Sequence, residues 1–462
     1  MKNIQGIFTR LNNSAVVWSW AFNGFRLASG LFLLPLLLRK LPNEDLGIYY
    51  VFLRLIALTP IIDFGFSVSI GRYVSYAMGG ATELKAQGIV PSEGHLPPNF
   101  ALLGRLLFSY QHLYRYLSLA TLVVLGIWGT YNVGLNVLET SSPNHTWIAW
   151  SVTLLAATLE IYFGWWGAFL RGMNQVVLAA RLAVLGYALQ LLLAAGLLLW
   201  GCGLLSLPIA SLVGTMAQRF LARRHCLKLL GNNILSSQKS GEPSLLRLLW
   251  PNSWRVGLQF LSTYLGTAVP ALIFAGLSGA AAFAAYGVSL QIMGICAGMA
   301  SVWTTVKWPL VGQYRTRQDF TALRRMLWPR IWLQTATFVL LAGFAVTAGP
   351  LVLNWLSPDK ELLPANWLYL LALTAFLELQ FSFWTTLLST ENRIPSLWPT
   401  VATNIFALLL FVVLIRSTSL GFRALILAPL LAGCLFSYWY WPVAGAKNLQ
   451  TRWLRFTFSR PP

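Results

Sequence analysis

Charged side chains lie inside segments of this sequence that are otherwise apolar. The clearest cases are Arg26, Arg54, Glu160 and Glu378, and Asp63 and Arg255 lie nearer the ends of such segments. An ionisable group at the centre of a lipid-embedded helix costs about 2.5 to 3.5 kcal/mol, so it normally faces a cavity or a charged partner. We therefore take these six residues as the starting point for a functional site.

The arginines belong to polar stripes with helical spacing. One stripe consists of Ser19, Asn23, Arg26 and Gly30, and another of Asn252, Arg255, Gln259, Ser262 and Gly266. Intervals of three and four residues place side chains on one helix face, and Arg54 follows Tyr50 by one turn. Guanidinium groups pair with phosphate oxygens through two parallel hydrogen bonds. We predict a site for a pyrophosphate or an acidic sugar, formed by Arg26, Arg54, Arg255, Asn23, Asn252 and Gln259. The alternative is that each arginine pairs with a glutamate or extends to the membrane interface.

The elements that position these residues must be membrane helices. Of the 462 residues, 57% are hydrophobic and 10% are charged, whereas soluble domains are about a quarter charged. Apolar runs of about 20 residues cross the hydrocarbon core as helices, because backbone groups find no water there. The predicted spans of the first half are 17–38, 46–70, 106–128, 147–170, 176–200 and 204–221. Those of the second half are 253–277, 280–306, 331–348, 367–388, 397–415 and 420–441. The predicted fold is all-α, with about twelve transmembrane helices in two pseudo-symmetric six-helix lobes.

An internal repeat supports the two lobes. A shift of 218 positions aligns Leu159, Glu160, Phe163, Trp166, Leu170, Asn174 and Gly203 with Leu377, Glu378, Phe381, Trp384, Leu388, Asn392 and Gly421. Two halves with an even number of crossings share one orientation, as in transporters that hold substrate between two lobes. The predicted domains are an N-lobe (1–224), a cytoplasmic linker (225–250), a C-lobe (251–446) and a basic cytoplasmic tail (447–462).

The acidic and aromatic residues of the repeat each allow two interpretations. Glu160 and Glu378 are either proton or sodium sites that drive a transport cycle or polar contacts between helices. Asp63 is either a cap on a proline-broken helix or an ion ligand. Trp166 and Trp384 either pack within the protein or stack on sugar rings. No cofactor is expected apart from a coupled H⁺ or Na⁺, and no metal site.

The formal net charge of +20 follows from topology rather than from binding to nucleic acid. With a cytoplasmic N-terminus, most Lys and Arg residues fall on the inner side, which is the positive-inside pattern. The two richest clusters, Arg219 to Arg255 and Arg315 to Arg330, are interpreted as loops that face the anionic inner leaflet. We expect a bacterial inner-membrane protein with both termini in the cytoplasm.

The stretch from Phe22 to Gly80 resembles the start of bacterial polysaccharide and O-antigen flippases of the multidrug/oligosaccharidyl-lipid/polysaccharide (MOP) exporter superfamily. The resemblance lies in Leu41-Pro-Asn-Glu-Asp-Leu-Gly47-Ile-Tyr49 and in Asp63-Phe-Gly65 ahead of Arg72. The repeated turns Arg171-Gly-Met-Asn174-Gln and Thr390-Glu-Asn392-Arg393 are also similar to that family. The related lipid II flippases add two further helices to the twelve that we predict here, so the narrower resemblance to them is weaker.

The resemblance implies a MATE-like fold and the export of undecaprenyl-pyrophosphate-linked oligosaccharide for surface polysaccharide synthesis by alternating access. It also implies that Arg26, Arg54 and Arg255 match arginines that bind the pyrophosphate in lipid II flippases. The implied partners are the lipid bilayer and the lipid-linked glycan. Polysaccharide polymerases and glycosyltransferases of the same process are further candidate partners, and nucleic acid is not.

Two other functions remain open at this point. A multidrug exporter of the same superfamily binds organic cations and favours acidic cavity residues, which the three arginines oppose. A glycan polymerase or glycosyltransferase needs a catalytic platform, but the sequence shows no paired-aspartate metal motif, nucleophile elbow or histidine cluster. We therefore predict a transporter rather than an enzyme.

Overall fold

The computed structural model describes residues 18, 25, 32–80, 97–231, 244–305, 307–308, 311, 314, 319–357, 360–390, 395–453 and 456. Within these residues the chain forms helices and turns and no strands. This confirms the all-α prediction, which rests on the need of every backbone N–H and C=O in lipid for a partner within its own helix.

Fifteen of the helices are labelled α1 to α15 in chain order. They are α1 (Asn43–Ile56), α2 (Thr59–Ile62), α3 (Phe66–Met78), α4 (Phe100–Val124), α5 (Thr130–Gly134), α6 (Pro143–Gly172), α7 (Val176–Leu199), α8 (Ser206–Leu230), α9 (Ser244–Thr305), α10 (Phe320–Thr347), α11 (Gly349–Leu356), α12 (Ala365–Ser389), α13 (Leu397–Ser417), α14 (Arg423–Leu435) and α15 (Ser437–Asn448). A π-helical turn, Leu125–Gly129, joins α4 to α5. Residues 32–40 are also helical.

Among the described residues, nine helices are long and apolar enough to cross a membrane, or ten if the bent pair α14–α15 counts as one span. Most of the predicted spans correspond to one of them. The predicted spans 253–277 and 280–306 both lie in α9, and Gly279 between them has the non-helical angles φ 83°, ψ 163°. The first predicted span, 17–38, falls largely outside the described residues.

The predicted continuous span 46–70 is wrong, because the helix is interrupted in its second half. The α1 helix ends at Ile56, Pro60 lies in the single turn of α2, and residues 63–65 form a turn before α3. Phe64 and Gly65 have φ angles of 50° and 70°, a left-handed conformation that ends a helix. The Asp63 carboxylate accepts a hydrogen bond from the Ser67 backbone N–H at 3.2 Å and from its hydroxyl at 2.7 Å. Asp63 therefore serves the first turn of α3, as a cap would.

The chain divides into two compact units. The first unit comprises Met1–Leu41 and Leu55–Leu261, and the second comprises Pro42–Arg54 and Ser262–Pro462. The predicted lobes remain a prediction, and this division differs from them in two respects. Most of α1 belongs to the second unit, and residues 251–261, predicted in the C-lobe, belong to the first. The predicted linker 225–250 and the predicted basic loop 219–255 are helical at both ends, in α8 and α9. The middle of both, 232–243, lies outside the described residues.

Each unit has its own hydrophobic core. In the first unit Trp165 and Trp166 stack with ring centroids 4.1 Å apart, next to Tyr110 and Phe169. In the second unit Trp384 packs among Phe383, Trp441 and Phe456. Trp166 and Trp384 are 3% and 2% exposed, so both pack within their units and neither presents a face to a sugar ring.

In the first unit α7 and α8 approach each other closely at two glycines. A Cβ atom on Gly214 would lie 2.7 Å from the Gln190 Cβ and 2.7 Å from the Gly186 carbonyl oxygen. A Cβ on Gly186 would lie 2.8 Å from the Gln218 Cβ. Small residues at such a crossing let the two backbones pack directly against each other, which is a main source of helix association in lipid.

Candidate functional site

The second unit contains a cavity of about 630 Å³. Its lining comes from α1, from the part of α9 beyond Gly266, and from α12, α13 and α14. Most of the lining residues are apolar, and the described polar side chains without charge are Thr267, Tyr286, Ser301, Thr374 and Ser382. Two described lining residues are charged, namely Arg54 and Glu378. This volume is in the range of small-molecule sites, which are mostly apolar with a few placed polar groups.

Arg54 is positioned by the packing of α1 on α9. Gly47 packs directly against the α9 backbone, because a Cβ atom at this position would lie only 1.8 Å from the Ala280 carbonyl oxygen. One turn before Arg54, the Tyr50 ring lies over Gly287, and its hydroxyl donates a hydrogen bond to Gln291 Oε1 at 2.6 Å. These contacts hold the last turn of α1 at the cavity. Within the described part of the chain, the Arg54 guanidinium has neither a hydrogen bond nor an ion pair.

Glu378 is positioned by the break between α14 and α15. The two helices meet at an angle of 41° around Phe436. Just after the break, the Tyr438 hydroxyl donates a hydrogen bond to Glu378 Oε1 at 2.6 Å. The Tyr438 ring fits over Gly433, where a Cβ would lie 2.2 Å from the ring. The carboxylate is open to the cavity and forms no ion pair with Arg54.

The first unit holds a different set of polar contacts. Arg219 on α8 points at α6, where its Nη2 lies 3.6 Å from Glu160 Oε1 and its Nη1 donates to the Gly164 carbonyl at 3.4 Å. Asp63 Oδ1 accepts a hydrogen bond from the Tyr114 hydroxyl at 2.5 Å. Glu160 and Asp63 thus have polar partners inside the unit, and this environment resembles the helix-to-helix contact considered for Glu160.

The predicted arginine site is only partly described. Arg54 lies in the second unit, whereas Arg255 lies in the first, where it is exposed and its guanidinium carbon is 5.6 Å from the Trp254 ring centroid. Gln259 is half-buried in the first unit. Asn23, Arg26 and the Asn252 side chain lie outside the described residues. The structure brings Arg54 together with Glu378, and the prediction had assigned these two residues to separate roles.

Two residues of these sites were missed from the sequence. Tyr438 resembles the aromatic residues that anchor helix ends at the membrane interface, and Arg219 was counted among the basic residues of a cytoplasmic loop. A signal was present for both. The shift of 218 positions that relates Glu160 to Glu378 also places Arg219 within one residue of Tyr438, so the partners of both carboxylates come from corresponding places in the repeat.

The arrangement of helices defines a membrane protein with the fold of the MATE transporters in the MOP superfamily. An inward-facing multidrug resistance MATE family transporter matches with a TM-score of 0.65 and 12% identity, over 92% of this chain and 94% of the other. An outward-facing multidrug resistance MATE family transporter matches with a TM-score of 0.56 and 15% identity, over 96% of each chain.

A MOP superfamily transporter from Pyrococcus furiosus, described as having a binding pocket of reverse polarity that suggests a different function, matches with a TM-score of 0.57 and 16% identity. That match covers 96% of this chain and 95% of the other. No protein-family model and no curated protein matches the sequence. At these identities the likeness establishes the fold.

Proposed function

We propose that this protein is an alternating-access transporter that moves an undecaprenyl-pyrophosphate-linked oligosaccharide from the cytoplasmic to the outer leaflet of a bacterial inner membrane. Proteins of the same fold are described in inward-facing and outward-facing conformations, which supports the transport cycle. The lipid-linked substrate is supported by the charge in the cavity and by the resemblance of residues 22–80 to polysaccharide flippases.

The observation that carries the proposal is the Arg54 guanidinium, which lines the cavity and has no carboxylate partner within the described chain. An unpaired charge in a largely apolar space is unfavourable until a counter-ion arrives. A phosphate group supplies that charge and matches the two-pronged geometry of the guanidinium. The proposed substrate contributes two phosphate groups and a polar head of the size that such a cavity accepts.

The direct test is lipid transport by purified protein in proteoliposomes. The substrate is a fluorescent lipid-linked sugar with an undecaprenyl pyrophosphate carrier, and its movement is measured by loss of protection from a membrane-impermeant quencher. We expect Arg54→Ala to lower the transport rate by about tenfold or more, the effect of one lost charge-assisted hydrogen-bonded contact. Arg54→Lys keeps the charge but lacks the two-pronged geometry of the guanidinium. Its transport rate is therefore expected to lie between those of the unmodified protein and Arg54→Ala.

Arg416→Ala is the matched control, because Arg416 is exposed in the last turn of α13 and outside the cavity. Its transport rate is expected to equal that of the unmodified protein. If the lipid-linked sugar is not moved by the unmodified protein, or if Arg54→Ala and Arg416→Ala behave alike, the proposed substrate is wrong.

Multidrug export is the second candidate function, and Glu378 favours it. A carboxylate in a cavity is the group expected to attract an organic cation, and two of the matched proteins are described as multidrug resistance transporters. A fluorescent cationic dye separates the two functions. Saturable dye binding that is lost in Glu378→Gln and unaffected by undecaprenyl pyrophosphate would establish the second function in place of the first.

A further inference from the structure

Glu378 lines the cavity and retains unused hydrogen-bonding capacity. Tyr438 donates to Oε1 at 2.6 Å, and Oε2 accepts no hydrogen bond within the described chain. A carboxylate has about four lone-pair positions, and a cavity with a mostly apolar lining offers few donors to fill them. A ligand that enters the cavity is therefore favoured if it brings its own donors.

The cavity presents a positive and a negative group that do not pair with each other. Arg54 comes from α1 and Glu378 from α12, and α1 is anchored on α9 through Tyr50 and Gln291. Because the two groups form no ion pair with each other, the ligand that satisfies both has an anionic group at one end and hydrogen-bond donors at the other. A sugar that carries a phosphate has this arrangement, with hydroxyl groups next to the anion.

The uncharged side chains of the cavity wall favour a sugar as the ligand over an organic cation. Four hydroxyl side chains, Thr267, Ser301, Thr374 and Ser382, lie on the cavity wall. The first three donate to carbonyls of their own helices, so their oxygens remain as acceptors for the hydroxyls of a sugar. Quaternary ammonium groups are instead bound by cages of aromatic faces. The described lining holds two aromatic residues, Tyr286 and Phe411.

We infer that Glu378, oriented by Tyr438, determines specificity by accepting hydrogen bonds from the hydroxyls of the sugar whose phosphate binds Arg54. The inference deepens the proposed function and rests on it. It assigns the carboxylate to recognition of the substrate, in place of the ion-coupling role considered from the sequence. Tyr438 acts through Glu378, by fixing the orientation of the carboxylate, and does not itself contact the sugar.

The test compares two lipids that differ only in the sugar. The full-length protein in lipid nanodiscs is titrated with undecaprenyl pyrophosphate and with undecaprenyl-pyrophosphoryl-N-acetylglucosamine, and the dissociation constants are compared. The unmodified protein is expected to bind the sugar-bearing lipid about tenfold more tightly, the factor that one hydrogen bond to a charged group contributes. Glu378→Ala is expected to bring the two constants together by weakening the binding of the sugar-bearing lipid.

Three further variants complete the design. Glu378→Gln keeps the size of the side chain and one acceptor oxygen, so it should retain part of the discrimination, and it guards against a fold defect in Glu378→Ala. Tyr438→Phe should reduce the discrimination less than Glu378→Ala does. Glu361→Ala, an exposed carboxylate outside the cavity, should bind both lipids as the unmodified protein does.

The outcomes separate this inference from the proposed function. If the unmodified protein binds the two lipids equally, or if Glu378→Ala weakens both by the same factor, the sugar role is wrong and the function stands. If Glu378→Gln retains the discrimination in full but loses the dependence of transport on pH or on Na⁺, Glu378 is a coupling site and the sugar role is also overturned. If neither lipid binds to the unmodified protein, the proposed function fails first.

Discussion

Two carboxylates at equivalent points of the repeat, Glu160 and Glu378, are surrounded in opposite ways. In the first unit Glu160 faces the guanidinium of Arg219 at 3.6 Å, so its charge is balanced by a charge. In the second unit Glu378 receives a hydrogen bond from the neutral phenol of Tyr438 at 2.6 Å, so this partner brings no balancing charge. Both partners come from corresponding helices, α8 and α15.

This difference distinguishes a structural contact from a binding group. A balanced pair between α6 and α8 holds two helices together and offers little to a ligand. A carboxylate that is oriented but not neutralised keeps its attraction for donors or cations, and it lies on the wall of a cavity beside an unpaired arginine. Glu160 and Glu378 lie in similar sequences but have different roles, because the first contacts Arg219 and the second contacts Tyr438.

The largest effect is expected where α8, the helix that carries Arg219, meets α7. Gly214→Leu would overlap with Gln190 and the Gly186 backbone, and we expect it to lower the free energy of unfolding by about 3 kcal/mol. Gly196→Leu on α7 is the matched control, because a Cβ there meets nothing within 4 Å. Thermal and chemical unfolding in detergent measures both. Equal stabilities of the two variants would show that the glycine contact is not required.

Arg219→Met breaks the balanced pair of the first unit. Because the Glu160 side chain is 43% exposed, the cost is expected to fall well below that of a buried pair, at about 1.5 kcal/mol. The double variant Glu160→Gln with Arg219→Met should recover part of the loss, and a double-mutant cycle measures the coupling. Additive losses in the cycle would indicate that the two side chains do not interact.

Tyr438→Phe removes the hydrogen bond of the second unit and retains the ring over Gly433. The expected loss of unfolding free energy is about 1 kcal/mol, the usual contribution of one hydrogen bond. Added salt screens interactions between charges and acts little on a bond with a neutral donor. The effect of Tyr438→Phe should thus be the same at low and high salt, whereas that of Arg219→Met should shrink. If salt reduced the effect of Tyr438→Phe and left that of Arg219→Met unchanged, Glu160 would not be in an ion pair and Glu378 would not be bonded to a neutral donor.

The smallest effect is expected at the far end of the helix that carries Tyr438. Arg324 on α10 donates to the Gln450 carbonyl at 3.1 Å and to the Leu449 carbonyl at 3.5 Å, just beyond the C-terminus of α15. A cation at this end interacts favourably with the helix dipole. Arg324→Gln is expected to cost about 0.5 kcal/mol and to speed amide hydrogen exchange in the last turn of α15. Unchanged exchange there would show that Arg324 does not stabilise this end.

Much of the fold follows from hydrophobicity alone, because lipid leaves the backbone no alternative to helices. The sequence also places the interruption in α9 correctly, between residues 277 and 280, where Gly279 adopts a conformation that other residues rarely take. The break at Phe436 was missed, because the apolar run continues through it and neither Pro429 nor Pro442 marks the position. Pro60 lies inside the predicted span 46–70, where the apolar residues on both sides of the proline hide the break.

The residues of the site were easier to predict than their grouping. Arg54 and Glu378 were identified because charge is costly in an apolar helix. Their shared cavity depends on how α1, α9 and α12 pack, and periodicity within one helix does not determine which neighbour it meets. The placement of most of α1 with residues after 261 likewise depends on tertiary packing, as does the pairing of Glu160 with Arg219.

The break at Gly279 also determines how this part of the chain fits a bilayer. The apolar stretch Ser253–Thr305 has 53 residues, and a straight helix of that length would measure about 80 Å against a hydrocarbon core of about 30 Å. The non-helical angles of Gly279 divide the stretch into two segments of about 26 residues, each roughly 39 Å long. A residue that strongly disfavours a φ of 83° would therefore favour one helix that is far too long for the membrane.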